Sequence, residues 1–273
     1  MFVAIRGAGD LATGIAFRLH RAGFEIAMTE IAEPLSVRRA VSFSQAVYEG
    51  RTQVEDLTAV LVRDEAGMKA AFREKLVAVF VDPGTEIVRS LKPEILIDAV
   101  MAKRNTGTSL ADAPLVIGVG PGFTAGCDCH AVIETQRGHT LGRLITEGSA
   151  LPNTGVPGEV KGYTLERLLR SPADGVFEAV MSIGDMVKKG DILAFVDTVP
   201  IRAEIDGILR GLLPSGVAVK RGVKAGDVDP RCEKSHCFTV SDKALAIAGG
   251  VLEAILMLSK NSIPALNFPR SKL

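Results

Sequence analysis

The sequence predicts an α/β chain in three parts: a Rossmann-like parallel-sheet domain over residues 1–150, a duplicated all-β domain over 160–235, and a C-terminal helix within 238–273 that packs back on the first domain. Three observations predict it. The apolar run Phe2 to Ile5 leads through a glycine-rich turn into a helical pattern. Short apolar runs of the kind buried on both faces of a parallel sheet recur at 59–62, 77–81, 95–99 and 115–119. A set of residues between 174 and 229 repeats at one fixed offset.

The bulk composition fits that division. A chain of 273 residues exceeds the usual single core, so two domains are the natural expectation. Hydrophobic residues make up 47% and aromatics only 5%, which places the core in Val, Ile, Leu and Ala. The 32 basic and 32 acidic residues cancel, which argues against a nucleic-acid or anionic-membrane partner. The opening run is too short and too soon glycine-rich for a signal peptide, and no stretch of eighteen apolar residues exists; the expected location is cytoplasmic, with reduced cysteines.

The turn reads Arg6-Gly7-Ala8-Gly9-Asp10-Leu11-Ala12-Thr13-Gly14. Gly7 and Gly9 suit a tight turn and close approach of a pyrophosphate, and Ala12 is small where helix and strand must pack. The backbone amides of Asp10, Leu11 and Ala12 then form a helix start, where an anion is favoured. Gly23 stops the helix, and 25–29 reads as a second strand ending at Glu30, an acid placed to accept from a ribose and to repel a 2′-phosphate. Nucleotide binding is one reading; a glycine turn that is purely structural is the other.

Polar residues follow the later strands. Asp82 closes one; Asp98 closes another and leads into Lys103, Arg104 and Asn105; Gly120 lies in the glycine-rich loop after a third. In an open α/β sheet these positions share one crevice beyond the carboxyl ends of the strands. Asp98, Lys103 and His130 are the expected acid–base groups. Gly7, Gly9, Asp10, Leu11, Ala12, Glu30, Asp82, Arg104, Asn105 and Gly120 are the expected cofactor contacts, with an NAD-like dinucleotide as the cofactor and no metal. Arg38 and Arg39 either clamp an anionic substrate or lie on a solvated helix face. Cys127, Cys129 and His130 lack zinc-knuckle spacing, and Cys232 and Cys237, flanking His236, read as incidental.

In the second part, Asp174-Gly175-Val176 recurs as Asp206-Gly207-Ile208, and Val187-Lys188-Lys189-Gly190 recurs as Val219-Lys220-Arg221-Gly222. Two copies are too few for a solenoid and suit a closed β-structure with pseudo-two-fold symmetry. The phrase from Ile183 to Leu193 is similar to the biotinyl/lipoyl-type barrel-sandwich fold. Carrier members of that class bear a modified lysine in the hairpin between halves; here 196–200 has none, which points to a docking or regulatory module. Residues 152–158 read as a turn-rich linker, and Ser241 as the N-cap of a closing helix.

Several stretches together resemble the YqeB family, accessory proteins of selenium-dependent molybdenum hydroxylase systems: residues 6–14, 101–108, 120–126, 130–135 and Ser241-Asp242-Lys243. The family is also reminiscent of the XdhC-type maturation factors of xanthine dehydrogenase. The resemblance implies a role in maturing a molybdenum hydroxylase client, in which the cleft would take a molybdopterin dinucleotide or NAD; the glycine turn itself makes a small-molecule nucleotide the expected ligand, and the apolar C-terminal helix leaves a homodimer as a further option. An NAD-dependent oxidoreductase with an appended β docking module is the alternative, and a non-catalytic scaffold is the third.

Overall fold

The computed structural model describes residues 1–259; the remainder of the expected 238–273 segment lies outside the described residues. Strand β1 (Phe2–Arg6) runs into helix α1 (Asp10–Arg21) and back through β2 (Glu25–Glu30), which pairs parallel to β1. Ile15, Ala16 and Leu19 put an apolar face of α1 on the sheet. Gly23, at φ +90, ends the helix in a backbone state that suits glycine, and its N–H donates to the His20 carbonyl.

A short helix α2 (Ala46–Glu49), a hairpin of β3 (Arg51–Val54) and β4 (Leu57–Leu61), and helix α3 (Glu65–Arg73) follow. Then come β5 (Val77–Val81), α4 (Glu86–Ser90), β6 (Ile95–Asp98), β7 (Leu115–Val119), β8 (Thr124–Ala125), β9 (Ala131–Ile133), β10 (Leu144–Ile145) and β11 (Gly148–Ser149). Nine of these strands form one sheet in the order β10-β9-β7-β6-β1-β2-β5-β4-β3. From β1 the chain builds outward first through β2 and β5, then on the other side through β6 and β7. The reversal of strand order therefore lies between β1 and β6.

Strand alternation sends Val3, Ile5, Ile97 and Ile117 to one face and Ala4, Leu96 and Val116 to the other. The first face is covered by α1 and by a long closing helix α6 (Asp242–Leu258), which Ser241 caps by accepting from the Ala244 N–H. The fit is close: a Cβ on Gly14 would stand 2.6 Å from the Ala244 methyl, and one on Gly250 would run into the Gly142 carbonyl. The second face is covered by Met68 and Ala71 of α3 and Val88 of α4.

The rest of the chain contains β12 (Leu168–Arg170), β13 (Gly175–Ala179), β14 (Met186–Val187), β15 (Ile192–Val196), β16 (Val199–Arg202), β17 (Gly207–Leu212), β18 (Ala218–Val219), β19 (Lys224–Asp229) and a short α5 (Ser235–Phe238). The repeat maps β13, β14 and β15 onto β17, β18 and β19. The copies exchange strands: β14 pairs with β17, and β18 pairs with β13. The same exchange is written in charge. Lys188 Nζ donates to Asp206 at 2.9 Å, and Lys220 Nζ donates to Asp174 at 2.9 Å. Phe177, Leu193, Leu209 and Val228 form the core between the copies.

The fold-class expectation is corrected here. The large sheet is mixed, not parallel, because β3 turns back along β4 and β10 turns back along β9. The β3–β4 turn holds Glu55 at φ 53, a left-handed position without the glycine that would have announced it. The all-β part is two four-stranded antiparallel sheets, in the orders β12-β19-β17-β14 and β16-β15-β13-β18. Among the described residues no helix is long and apolar enough to cross a membrane.

Candidate functional site

The carboxyl ends of β1, β2, β6 and β7 gather most of the expected residues, and their side chains divide between the two faces of the sheet. On the α4 face lies a closed polar knot. Arg6, at the last position of β1, donates from Nε to Thr85 Oγ1 (2.8 Å), and from one terminal nitrogen to Asp98 Oδ2 (2.6 Å) and Thr108 Oγ1 (2.5 Å). Its other terminal nitrogen reaches Thr106. Thr108 also donates to Asp98, and the second Asp98 oxygen accepts from the Val100 N–H. Asp98 is only 1% exposed. An acid–base role for it is therefore corrected: its carboxylate is fully engaged in holding Arg6 and the loop after β6.

Other expected contacts are loop locks. Asp82 accepts from the Glu86 and Val88 amides and so starts α4. Asn105 accepts from Gly107 and Thr108 and donates to the Thr108 carbonyl, closing its own turn. Gly120, at φ +83, is needed because a Cβ there would meet Thr135 Oγ1 at 2.8 Å. Lys103 and Arg104 are exposed at the rim. Gly122 lets the chain press on the Arg104 backbone, while Met101 and Lys103 sit at φ 62, a strained state for both. His130 stands apart. Its Nδ1 accepts from the Val116 N–H at 3.0 Å, and Val116 pairs with Leu96, two residues before Asp98. That places it about 7 Å along the strands from the crevice, so His130 does not join Asp98 and Lys103.

On the other face the glycine turn, the start of α1 and Glu30 do come together. Gly7, at φ +88, packs on the Ala99–Val100 backbone, where a Cβ would lie 3.1 Å from the Ala99 oxygen. Gly9 differs. It is the N-cap of α1, has ordinary φ (−67), offers no side-chain cap, and a Cβ on it would find nothing closer than Ser36 Oγ at 3.6 Å. The first backbone bond of the helix is from Thr13 to the Gly9 carbonyl, so the Asp10, Leu11 and Ala12 amides precede the ladder. Ala12 is buried and Leu11 packs partly against the core. Glu30 accepts from the Ala8 N–H (3.1 Å) and the Ile31 N–H (2.8 Å). Burial pushes its carboxyl above the usual range, against those two backbone bonds.

Cations surround this end of α1. Arg38 NH1 lies 3.5 Å from the Asp10 carboxylate and is buried, which removes the solvated-face reading. Lys243, at the start of α6, has its amine pushed below the usual range by burial, opposed by Asp10. Arg137 grips Asp242 with two bonds of 2.7 and 2.8 Å. Arg39 donates instead to the Leu212 carbonyl at 3.1 Å, holding the β2–α2 segment on the duplicated part. Arg6, Lys243 and Arg210 escape sequence reasoning. Arg6 carried one signal, a lone charge at the end of an apolar strand. Elsewhere, a cavity of about 430 Å³ lined by Phe2, Glu25, Phe72 and Leu91 opens at the amino ends of the strands, away from this site.

Among the described residues no three His, Cys, Asp or Glu side chains converge as a metal site requires. Cys129 is buried, with its thiol pushed up to about 11 by that burial, and Cys127 is exposed and unpaired.

No family model matches the chain. Solved structures that resemble it include the product-bound ectoine utilization protein EutE (DoeB) of Ruegeria pomeroyi, at 13% identity over 74% of this chain and 57% of that one, TM-score 0.23. Another is an aspartoacylase family protein of Mesorhizobium loti, at 12% identity over 83% of this chain and 84% of that one, TM-score 0.24. Likeness this slight assigns no activity. The expected roles as a hydroxylase maturation factor and as an NAD oxidoreductase, with the selenium and molybdenum hydroxylase associations, find no support in these comparisons and are set aside. A curated relative is the uncharacterized protein YqeB of Escherichia coli (strain K12), 48% identical over 263 residues, which is 96% of this chain and 49% of that protein. The chain thus spans about half the length of this relative and is similar to it over that half.

Proposed function

We propose that this chain binds a phosphate-bearing small molecule at the amino end of α1. The observation that carries the reading is Gly9. Gly7 and Gly120 are required by the fold, by positive φ and by close neighbours; Gly9 is required by neither. Its lack of a side chain leaves the first-turn amides open, and the helix dipole favours an anion there. Arg38 and Lys243 supply positive charge beside it. Glu30 spends two of roughly four acceptor positions on Ala8 and Ile31, which leaves the others for a ligand hydroxyl. NAD and a molybdopterin dinucleotide both carry a pyrophosphate and are two ligands to try.

Calorimetric titration with pyrophosphate, NAD, other nucleoside diphosphates and a molybdopterin dinucleotide tests this reading. At least one should bind the wild-type protein, and Gly9→Ser, whose hydroxyl would cap the amides itself, should weaken it at least about tenfold. If the wild type binds none of them, the reading fails.

A further inference from the structure

We propose a second anion site at the seam between the large sheet and the duplicated part, formed by Arg210, His236 and Arg38, the last of which also borders the α1 site. It takes a small oxyanion such as phosphate, and its occupation ties the two parts of the molecule together. No amide of the first turn of α1 takes part, so it goes beyond the reading above.

The seam is built around one carbonyl. His236 O accepts from Arg38 NH2 at 3.0 Å and from Arg210 Nε at 3.2 Å. Arg38 also donates to the Thr239 carbonyl at 3.3 Å. Two guanidinium groups, one from the β2–α2 segment and one from β17, therefore meet on the chain just before α6. Arg210 is the extra residue of a β-bulge: Leu209 pairs with Val228 and Gly211 with Asp227, leaving Arg210 between them. Bulges re-aim side chains, often beside functional sites.

The carboxylates nearby are already claimed. Asp227 accepts from Arg167 at 3.1 and 3.3 Å, and Asp229 accepts from Arg231 at 2.6 to 3.2 Å. Arg210 reaches these same carboxylates only at 3.8 and 3.7 Å, and Arg38 has Asp10 at 3.5 Å. Arg38 is buried and Arg210 is mostly buried, and neither makes a hydrogen bond to a carboxylate. Burial and the charge of Arg38 pull the Arg210 guanidinium below its usual range.

Two side-chain atoms complete the case. Arg38 Nε and His236 Nδ1 are buried without a hydrogen-bond partner. Leaving such atoms unmet is costly, and fully paired polar groups are the rule in protein interiors. An oxyanion supplies acceptors for both, with His236 Nδ1 carrying a hydrogen, and offsets the excess positive charge. The Leu212 N–H bond to the Val37 carbonyl, at 2.8 Å, already joins the segments that carry Arg210 and Arg38. An ion between them strengthens that joint.

The test uses the full chain, inorganic phosphate, and selective 15N labelling of histidine. Phosphate should move the Nδ1 resonance of His236, identified by its loss in His236→Ala. It should also raise Tm by about 3 °C at ten times Kd. His236→Ala keeps the carbonyl that both arginines use and removes only the ring, so it should bind phosphate at the seam about tenfold more weakly, while His236→Asn, which restores a side-chain N–H, should recover most of the loss. Arg210→Met should behave like His236→Ala. Gly9→Ser serves as the control for the α1 site and should leave the His236 shift intact. A His236 resonance that stays in place throughout the titration, or a Tm increment equal in wild type and His236→Ala, overturns the proposal.

Discussion

Arg6 and Arg38 are both buried arginines at the edge of one sheet, and they are satisfied to different degrees. Arg6 has a partner for every nitrogen, drawn from Thr85, Asp98, Thr106 and Thr108. Arg38 borrows two carbonyls and leaves Nε unmet. A saturated network rigidifies a fold and has nothing left to offer a ligand; an unsaturated one keeps binding capacity at a cost in stability. The difference assigns Arg6 and Asp98 to the architecture and Arg38 to recognition.

The largest effect should come from breaking the saturated side. Asp98→Ala strands Arg6 in the interior and should cost about 3–5 kcal/mol in urea unfolding. A loss near zero would show that water reaches the knot and that the contrast with Arg38 is false. The two turn glycines should then part company. Gly7→Ala forces a side chain into positive φ against the Ala99 carbonyl and should cost about 1–3 kcal/mol. Gly9→Ser provides a better cap at an ordinary φ and should stabilise by a few tenths of a kcal/mol while weakening anion binding. Thermal unfolding of the pair checks both signs, and destabilisation by Gly9→Ser would return that glycine to a structural role.

A further effect is in acid. Burial works against ionisation of Asp229, and the hydrogen bonds from Arg231 outweigh it, holding the carboxyl at about 2 against an ordinary 3.8. A depressed carboxyl pKa contributes stability that is present above pH ~4 and is lost as the pH falls through about 2. Glu30 has the opposite sign: burial raises its pKa, so the ionised form costs stability and protonation on acidification returns it. Urea midpoints measured between neutral pH and pH 2 should fall in wild type and fall less steeply in Arg231→Gln. Parallel curves would remove the Asp229 pair from the argument.

Local backbone signals were readable from the residues, and side-chain pairing was not. The strand–turn–helix at 2–21, the offset between the β13 and β17 copies, and the Ser241 cap follow from periodicity and turn chemistry alone. The antiparallel turns that make the large sheet mixed did not, because Glu55 takes a left-handed state that its side chain does not announce. Within the site, strand ends pointed to the right crevice, but alternation decides which face a residue serves. Arg6 and Asp98 point to the α4 side, away from Gly9. The Arg210–His236 seam joins residues from β17 and α5 to residue 38, and no local pattern encodes so distant a meeting. His130 was misplaced because distance along a strand is invisible without the register against β7.

The strand exchange between the two copies has an evolutionary corollary. A lone copy of the 32-residue unit could not complete either sheet, since β14 and β18 each find their partner in the other copy. Such a unit would have to associate with a twin before it could fold. Fusing two of them in tandem turns a concentration-dependent assembly into a unimolecular one, and afterwards lets the halves diverge. Only the second carries Arg210 in a bulge, where the first has Glu178 in regular pairing with Phe195, so ancestry by fusion supplies the asymmetry that a symmetric dimer could not.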